Sequence, residues 1–144
     1  MEINVSFPGG KRVNAAVDGF EIATDQPASG GGNGSAPEPF ALFLASIATC
    51  AGIYALGFCQ ARSIPTEGLR VVQRSSKNQD TGRLERVEID VILPPGFPEK
   101  YRTAIQRAAE GCKVKKTIFD PPTFEVRSVV ADQDAAPTGT TTHA

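Results

Sequence analysis

The stretch Pro39–Arg62, PFALFLASIATCAGIYALGFCQAR, carries no charged side chain before its last residue. Phe40, Phe43, Leu44, Ile47, Ala51, Tyr54 and Phe58 recur at the spacing of one helical face, and Leu42, Ile53 and Leu56 occupy the other side. A helix apolar around its whole circumference has to be surrounded, by a sheet, a second subunit or lipid. Cys50 falls at the edge of the main stripe, about 60° from Ile47 at about 100° per residue, with Ser46 and Gly57 on that side. Small neighbours there leave room for a small substrate or for close packing of another helix. The run also has the length of a membrane span, about 20 residues. No basic cluster or aromatic belt precedes Pro39, and the flanking strands are amphipathic, so the pattern predicts a packed helix and no membrane.

Upstream of the helix, Pro39 suits the first helical position and Glu38 meets the positive end of the helix dipole. Residues 25–37, DQPASGGGNGSAP, read as a flexible glycine-rich loop. Before it, Ile3, Val5 and Phe7 alternate with polar residues up to the break at Pro8-Gly9-Gly10. Val13, Ala15 and Val17 resume the alternation, and Asp18-Gly19 signals a tight hairpin before Phe20 and Ile22. The N-terminus is therefore predicted to be an antiparallel meander.

Downstream, Ser63-Ile64-Pro65 stops the helix, Leu69–Gln73 reads as a strand, and 77–82 as a polar turn. Val87, Ile89, Val91 and Leu93 then form the most regular alternation in the chain, completing a second hairpin. Pro98-Glu99 opens a second helix with Tyr101, Ile105, Ala108 and Cys112 directed inward. Gly111 is placed to end it, so Cys112 either closes this helix or begins a short one over 114–119. Phe124, Val126, Ser128 and Val130 predict a final strand, and residues 131–144 a loose polar tail. The expected organisation is α+β, one domain over residues 1–130 followed by that tail.

Composition narrows the chemistry. A net charge of −1 over 144 residues, with both signs interspersed, lacks the basic footprint of a nucleic-acid binder. The N-terminus shows no basic segment followed by an apolar one, so no secretory signal is readable and the cytoplasm is the expected compartment. The one histidine, His143, lies in the tail, which removes histidine-based nucleophilic catalysis and histidine-rich metal sites. Gly30–Gly34 lacks the Lys-Ser/Thr ending of a phosphate loop. Three cysteines without a C-x-x-C pair leave thiol chemistry other than that of thioredoxin or zinc ribbons. Cys50 and Cys59, about 13 Å apart along one helix and facing opposite ways, cannot pair. Cys59 reads as a core residue, whereas Cys50 and Cys112, on different helices, are the two that could meet.

The helix P-F-A-L-F-L-A-S-I-A-T-C-A-G, followed after two strands by G-C-K-V-K-K-T, resembles the OsmC/Ohr family of osmotically inducible and organic-hydroperoxide-resistance proteins. The resemblance spans roughly residues 2–130. It implies an intertwined α+β homodimer with antiparallel sheets wrapped around long central helices, and a two-cysteine peroxidase that needs no cofactor and no metal. On that reading Cys50 attacks an organic hydroperoxide and becomes a sulfenic acid, Cys112 condenses with it to a disulfide, and a dithiol or a lipoylated protein restores both thiols. A thiolate on an apolar helix needs a nearby cation. The family supplies an arginine from the N-terminal strands, matched here by Arg12, with Lys11 as the alternative register. Organic-hydroperoxide members place a glutamate directly after the helix-opening proline; this chain has Phe40 there, with Glu38 as the nearest substitute. Lys113 stands where many members have proline after the second cysteine. These departures mark a divergent branch and frame the alternative function, a non-enzymatic dimer that binds a small lipophilic ligand or senses redox state.

Overall fold

A computed structural model of the chain describes residues 1–131. Its axis is helix α1, Pro39–Gln60. Glu38 is still extended (φ −70°, ψ 154°), and proline at the first helical position starts α1 where the sequence places it. Ile47, Ala51, Ala55, Phe58 and Cys59 form its buried stripe. Phe40, Phe43, Tyr54 and Ile53 remain exposed, Ile53 at 59%, so a single chain covers one side only. By length and composition α1 could also cross a bilayer.

The covering side is built from the second half of the chain. Strands β4 (Arg70–Lys77) and β5 (Leu84–Ile92) pair antiparallel, with Val71 opposite Val91 and Gln73 opposite Ile89, and pack on α1. Gln73 Nε2 donates to the Leu44 carbonyl at 2.9 Å, pinning β4 to the helix. β4 runs past Gln73 because the polar residues Arg74–Lys77 find ladder partners in Glu88–Leu84. Helix α2 (Arg102–Glu110) closes a core of Ala55, Phe58, Cys59, Ile64, Phe97 and Ile105. Gly111 ends α2, its N–H donating to the carbonyls of Arg107 and Ala108, and helix α3 (Lys113–Phe119) follows with Cys112 as its N-cap. Of the two placements open for Cys112, the start of a short helix is the one adopted.

Strands β1 (Ile3–Gly9), β2 (Arg12–Val17) and β3 (Phe20–Thr24) make the expected meander, in the order β1-β2-β3. Asp18 and Gly19, at φ 47° and 82°, supply the left-handed pair that a tight hairpin turn requires. This sheet makes no substantial packing contact with α1. Phe7 (79% exposed) and Phe20 (73%) face solvent, with Ile3 and Val5 half exposed.

Two expectations are corrected. The segment 25–37 is not a flexible linker, because Asp25 organises it from within. The Asp25 carboxylate, 1% exposed, accepts the Ser35 hydroxyl at 2.7 Å and the backbone N–H groups of Gln26 (2.8 Å), Ser35 (3.0 Å) and Asn33 (3.2 Å). A short 3-10 turn over Ala28–Gly30 fits inside this clamp. The Ser35 bonds above all hold the Asp25 carboxyl down at about 2, below its ordinary 3.8. The second correction concerns 124–130: Phe124, Val126, Val129 and Val130 are exposed and no strand forms there. The alternation is present, but this chain offers the segment no ladder, and a strand without a partner leaves its backbone to water. The predicted tail, beyond Ala131, lies outside the described residues.

Candidate functional site

The site begins with how α2 and α3 lie along α1. Ile105 packs at the level of Ala55, Phe58 and Cys59. Ala108 shares a cavity with Ile53, Tyr54 and Gly57. Lys115, Ile118 and Phe119 reach Phe43 and Ile47 around another. The run α2–α3 therefore descends α1 antiparallel, and Cys112 falls between these levels in chain order. Cys112 is fully buried and Cys50 half buried. The two cysteines named from the sequence thus sit on packed elements, Cys50 on α1 and Cys112 at the start of α3, with both thiols free. Cys59 is sealed in the core, where burial pushes its thiol above the ordinary value and the Arg62 guanidinium only partly opposes that.

Along α1 lies a mainly apolar cavity of about 540 Å³. Phe43 and Ile47 of α1, Leu84 and Val87 of β5, and Ile118 and Phe119 of α3 line it. On the helix, Cys50 stands one to two turns beyond Phe43 and Ile47, within about 20° and 60° of them respectively.

The charged candidates are elsewhere. Arg12 stays on its own hairpin, donating to the carbonyls of Gly9 (3.4 Å) and Pro8 (3.3 Å). Lys11 leans its Cε toward Gly31 of the clamped loop. Glu38 is half buried at the start of α1, where its carbonyl accepts from Ala41 and Leu42 while its carboxylate caps nothing. Among the described residues none of these three forms an ion pair. Within one chain, Arg12 bonds only to its own hairpin and Glu38 lies at the start of α1, twelve residues before Cys50. Phe40, in the position of the family's glutamate, stacks on Phe43 at 5.6 Å with the Lys77 ammonium 5.8 Å from its ring. Sequence reasoning missed Asp25, whose signal was an aspartate followed by Asn33 and Ser35 in a glycine run. It also missed Arg62, read only as the end of the helix. No group of acidic, cysteine or histidine side chains that could hold a metal occurs among the described residues.

Solved structures share this fold. A protein of Psychrobacter arcticus assigned to the osmotic stress induced and detoxification response superposes with a TM-score of 0.70 at 24% identity, over 80% of this chain and 85% of that one. An OsmC-like protein of Mycoplasma pneumoniae gives 0.61 at 19% identity, over 83% and 87%. The organic hydroperoxide resistance protein OsmC of Legionella pneumophila gives 0.54 at 18%, over 82% and 89%. At these identities the likeness is one of fold. No curated protein matches the sequence. The family model described as OsmC-like protein matches residues 31–127, from the clamped loop through both cysteines to the extended C-terminal segment, and the chain belongs to that family.

Proposed function

We propose that the protein is a cytoplasmic, thiol-dependent peroxidase of organic hydroperoxides that works as a homodimer. The observation that supports this is that Cys50, half buried on α1, and Cys112, fully buried at the start of α3, sit on elements that pack together. The Cys50 thiolate attacks the terminal oxygen of R–O–O–H; the O–O bond breaks, an S–O bond forms, and the departing alkoxide takes a proton to leave as R–OH. The Cys112 thiol then attacks the sulfenic sulfur, forming the disulfide and expelling water. A dithiol, free or as a lipoyl group, returns two electrons by exchange and restores both thiols. The mainly apolar cavity lined by Phe43 and Ile47, on the same helix as Cys50, suits a hydrophobic R group.

The cation that this chemistry needs comes, in this reading, from a second copy. Arg12 sits on a sheet that stands off its own α1, and the uncovered side of α1 is where a partner's sheet would bring it. Glu38, half buried at the start of that helix with its carboxylate unpaired, is placed to orient an incoming guanidinium in place of the glutamate replaced by Phe40. The 540 Å³ cavity equally favours the second reading, a dimer that binds a lipophilic ligand without turnover. Peroxide consumption separates the two: with cumene hydroperoxide and dihydrolipoamide, Cys50→Ser abolishes turnover and Cys59→Ser leaves it nearly intact. Absence of turnover in the unmutated dimer, or equal loss in both variants, overturns the peroxidase reading.

A further inference from the structure

The far end of α1, about three turns beyond Cys50, carries a second cavity of about 350 Å³. Its walls are apolar and stiff: Pro65 after the helix, Pro94 after β5, and the rings of Phe97 and Tyr101. Two cations stand at these walls. Arg62 lies flat over Phe58, its Cζ 3.8 Å from the ring centroid and 5.8 Å from that of Tyr101, and Lys100 Nζ lies 4.9 Å from Tyr101 on its own account. Of the several N–H donors of the guanidinium, Nη1 is engaged with the Phe58 carbonyl at 3.2 Å, and the others meet no protein acceptor among the described residues. No carboxylate lines the cavity, and the nearby Glu99 is turned to Arg102 at 3.0 Å.

We infer that this cavity binds a small amphipathic carboxylate, its head on Arg62 and Lys100 and its apolar body against Pro65, Pro94, Phe97 and Tyr101. Stacking on Phe58 fixes the guanidinium plane before any ligand arrives, leaving an edge for the two parallel hydrogen bonds that carboxylates accept. Two cations with no ion-pair partner among the described residues, beside an apolar wall, favour an anion over a neutral ligand of the same shape. The volume lies at the low end of the about 300–1,000 Å³ of small-molecule sites, room for a short-chain or single-ring acid.

Tyr54 and Tyr101 are the only tyrosines and there is no tryptophan, so in Tyr54→Phe protein the intrinsic emission reports on Tyr101 alone. Titration with hexanoate is expected to change that emission saturably, at concentrations at least about tenfold below those needed of 1-hexanol or of inorganic phosphate. Arg62→Gln is expected to raise the hexanoate half-saturation by about tenfold or more, and Lys100→Gln by less. In the protein carrying both cations, the Arg62 side-chain Nε–H resonance is expected to shift with hexanoate, a readout independent of whether either variant folds. Equal binding of hexanol reduces the site to an apolar cavity, and equal binding of phosphate to a cationic surface; either overturns the inference. So does a folded Arg62→Gln protein with unchanged hexanoate response, or an Arg62 resonance that does not move.

Discussion

Ile53→Glu tests whether α1 is covered by a second chain. A compact monomer of 15.2 kDa exposes about 7,100 Å². This chain exposes 11504 Å². Granting residues 132–144 the full accessibility of extended chain accounts for about 2,000 Å² of the excess, which leaves at least about 2,400 Å². Doubled over two chains the surplus is about 4,800 Å², within the about 2,000–5,000 Å² in total that obligate dimer interfaces bury. Ile53 sits within it, 59% exposed on a helix otherwise apolar, so a glutamate there costs a lone chain little. In a two-fold dimer the change enters twice. Each copy loses about 2 kcal/mol of side-chain burial and buries a carboxylate at a cost of several kcal/mol, together about 5 kcal/mol or more, over a thousandfold in dissociation constant. Light scattering at micromolar concentration is expected to show a dimer for the unmutated protein, and monomer or aggregate for Ile53→Glu. A monodisperse unmutated monomer, or an Ile53→Glu dimer of undiminished affinity, would refute the reasoning.

Four further outcomes are expected. Arg12→Ala slows both peroxide turnover and alkylation of Cys50 by iodoacetamide without changing the oligomeric state, which stopped-flow and light scattering check together. Peptide mapping after limited alkylation of the native protein finds Cys50 modified first and Cys59 last, since Cys59 is sealed in the core and its thiol is pushed up by burial. Gly32→Ala drives a Cβ into the Gln26 carbonyl group and to 2.8 Å from Asp25 Oδ1, so the backbone has to move. A loss of about 1–3 kcal/mol, several degrees of melting temperature, is expected from that overlap. The Asp25 carboxyl is held down at about 2 against an ordinary 3.8, so its clamp contributes fully above pH 3.8 and is lost as the pH falls through about 2. Melting temperatures of Asp25→Asn and unmutated protein should therefore differ at neutral pH and converge across that window.

What the sequence revealed follows from what each signal depends on. α1, the meander and both hairpins were legible because Pro39, Asp18-Gly19 and the Val87–Leu93 alternation are local, and local backbone preferences decide them. The cysteine pair was legible only in part. The inward direction of each thiol follows from helical spacing, but the level at which α3 meets α1 depends on the Gly111 break, which fixes where α3 begins. The loop 25–37 was misread because glycine content speaks for flexibility, while the order here comes from a single carboxylate reaching across about ten residues of chain to Asn33 and Ser35. Arg62 escaped notice because, of the two rings it faces, Phe58 is one helical turn away but Tyr101 is distant in sequence.

The remaining discrepancy, the strand expected at 124–130, points the same way as the surplus surface. Phe124, Val126 and Val130 alternate with polar partners as an inner strand does, yet they lie open, as do Ile3, Val5, Phe7 and Phe20 on the N-terminal sheet. Period-two patterning records a face that is buried in the functional assembly, and nothing in it says by whose atoms. Sheet edges and apolar faces left open on one chain are a liability unless another chain closes them. The three uncovered features, the side of α1 bearing Ile53, the meander and the C-terminal segment, belong to different parts of the chain and share one deficit. A single remedy, a second copy laying its strands over the first copy's helix, would satisfy all three and bring Arg12 within range of a cysteine that its own chain cannot reach. On this argument the catalytic cation and the missing strand are the same problem, and Ile53→Glu should cost turnover as well as assembly.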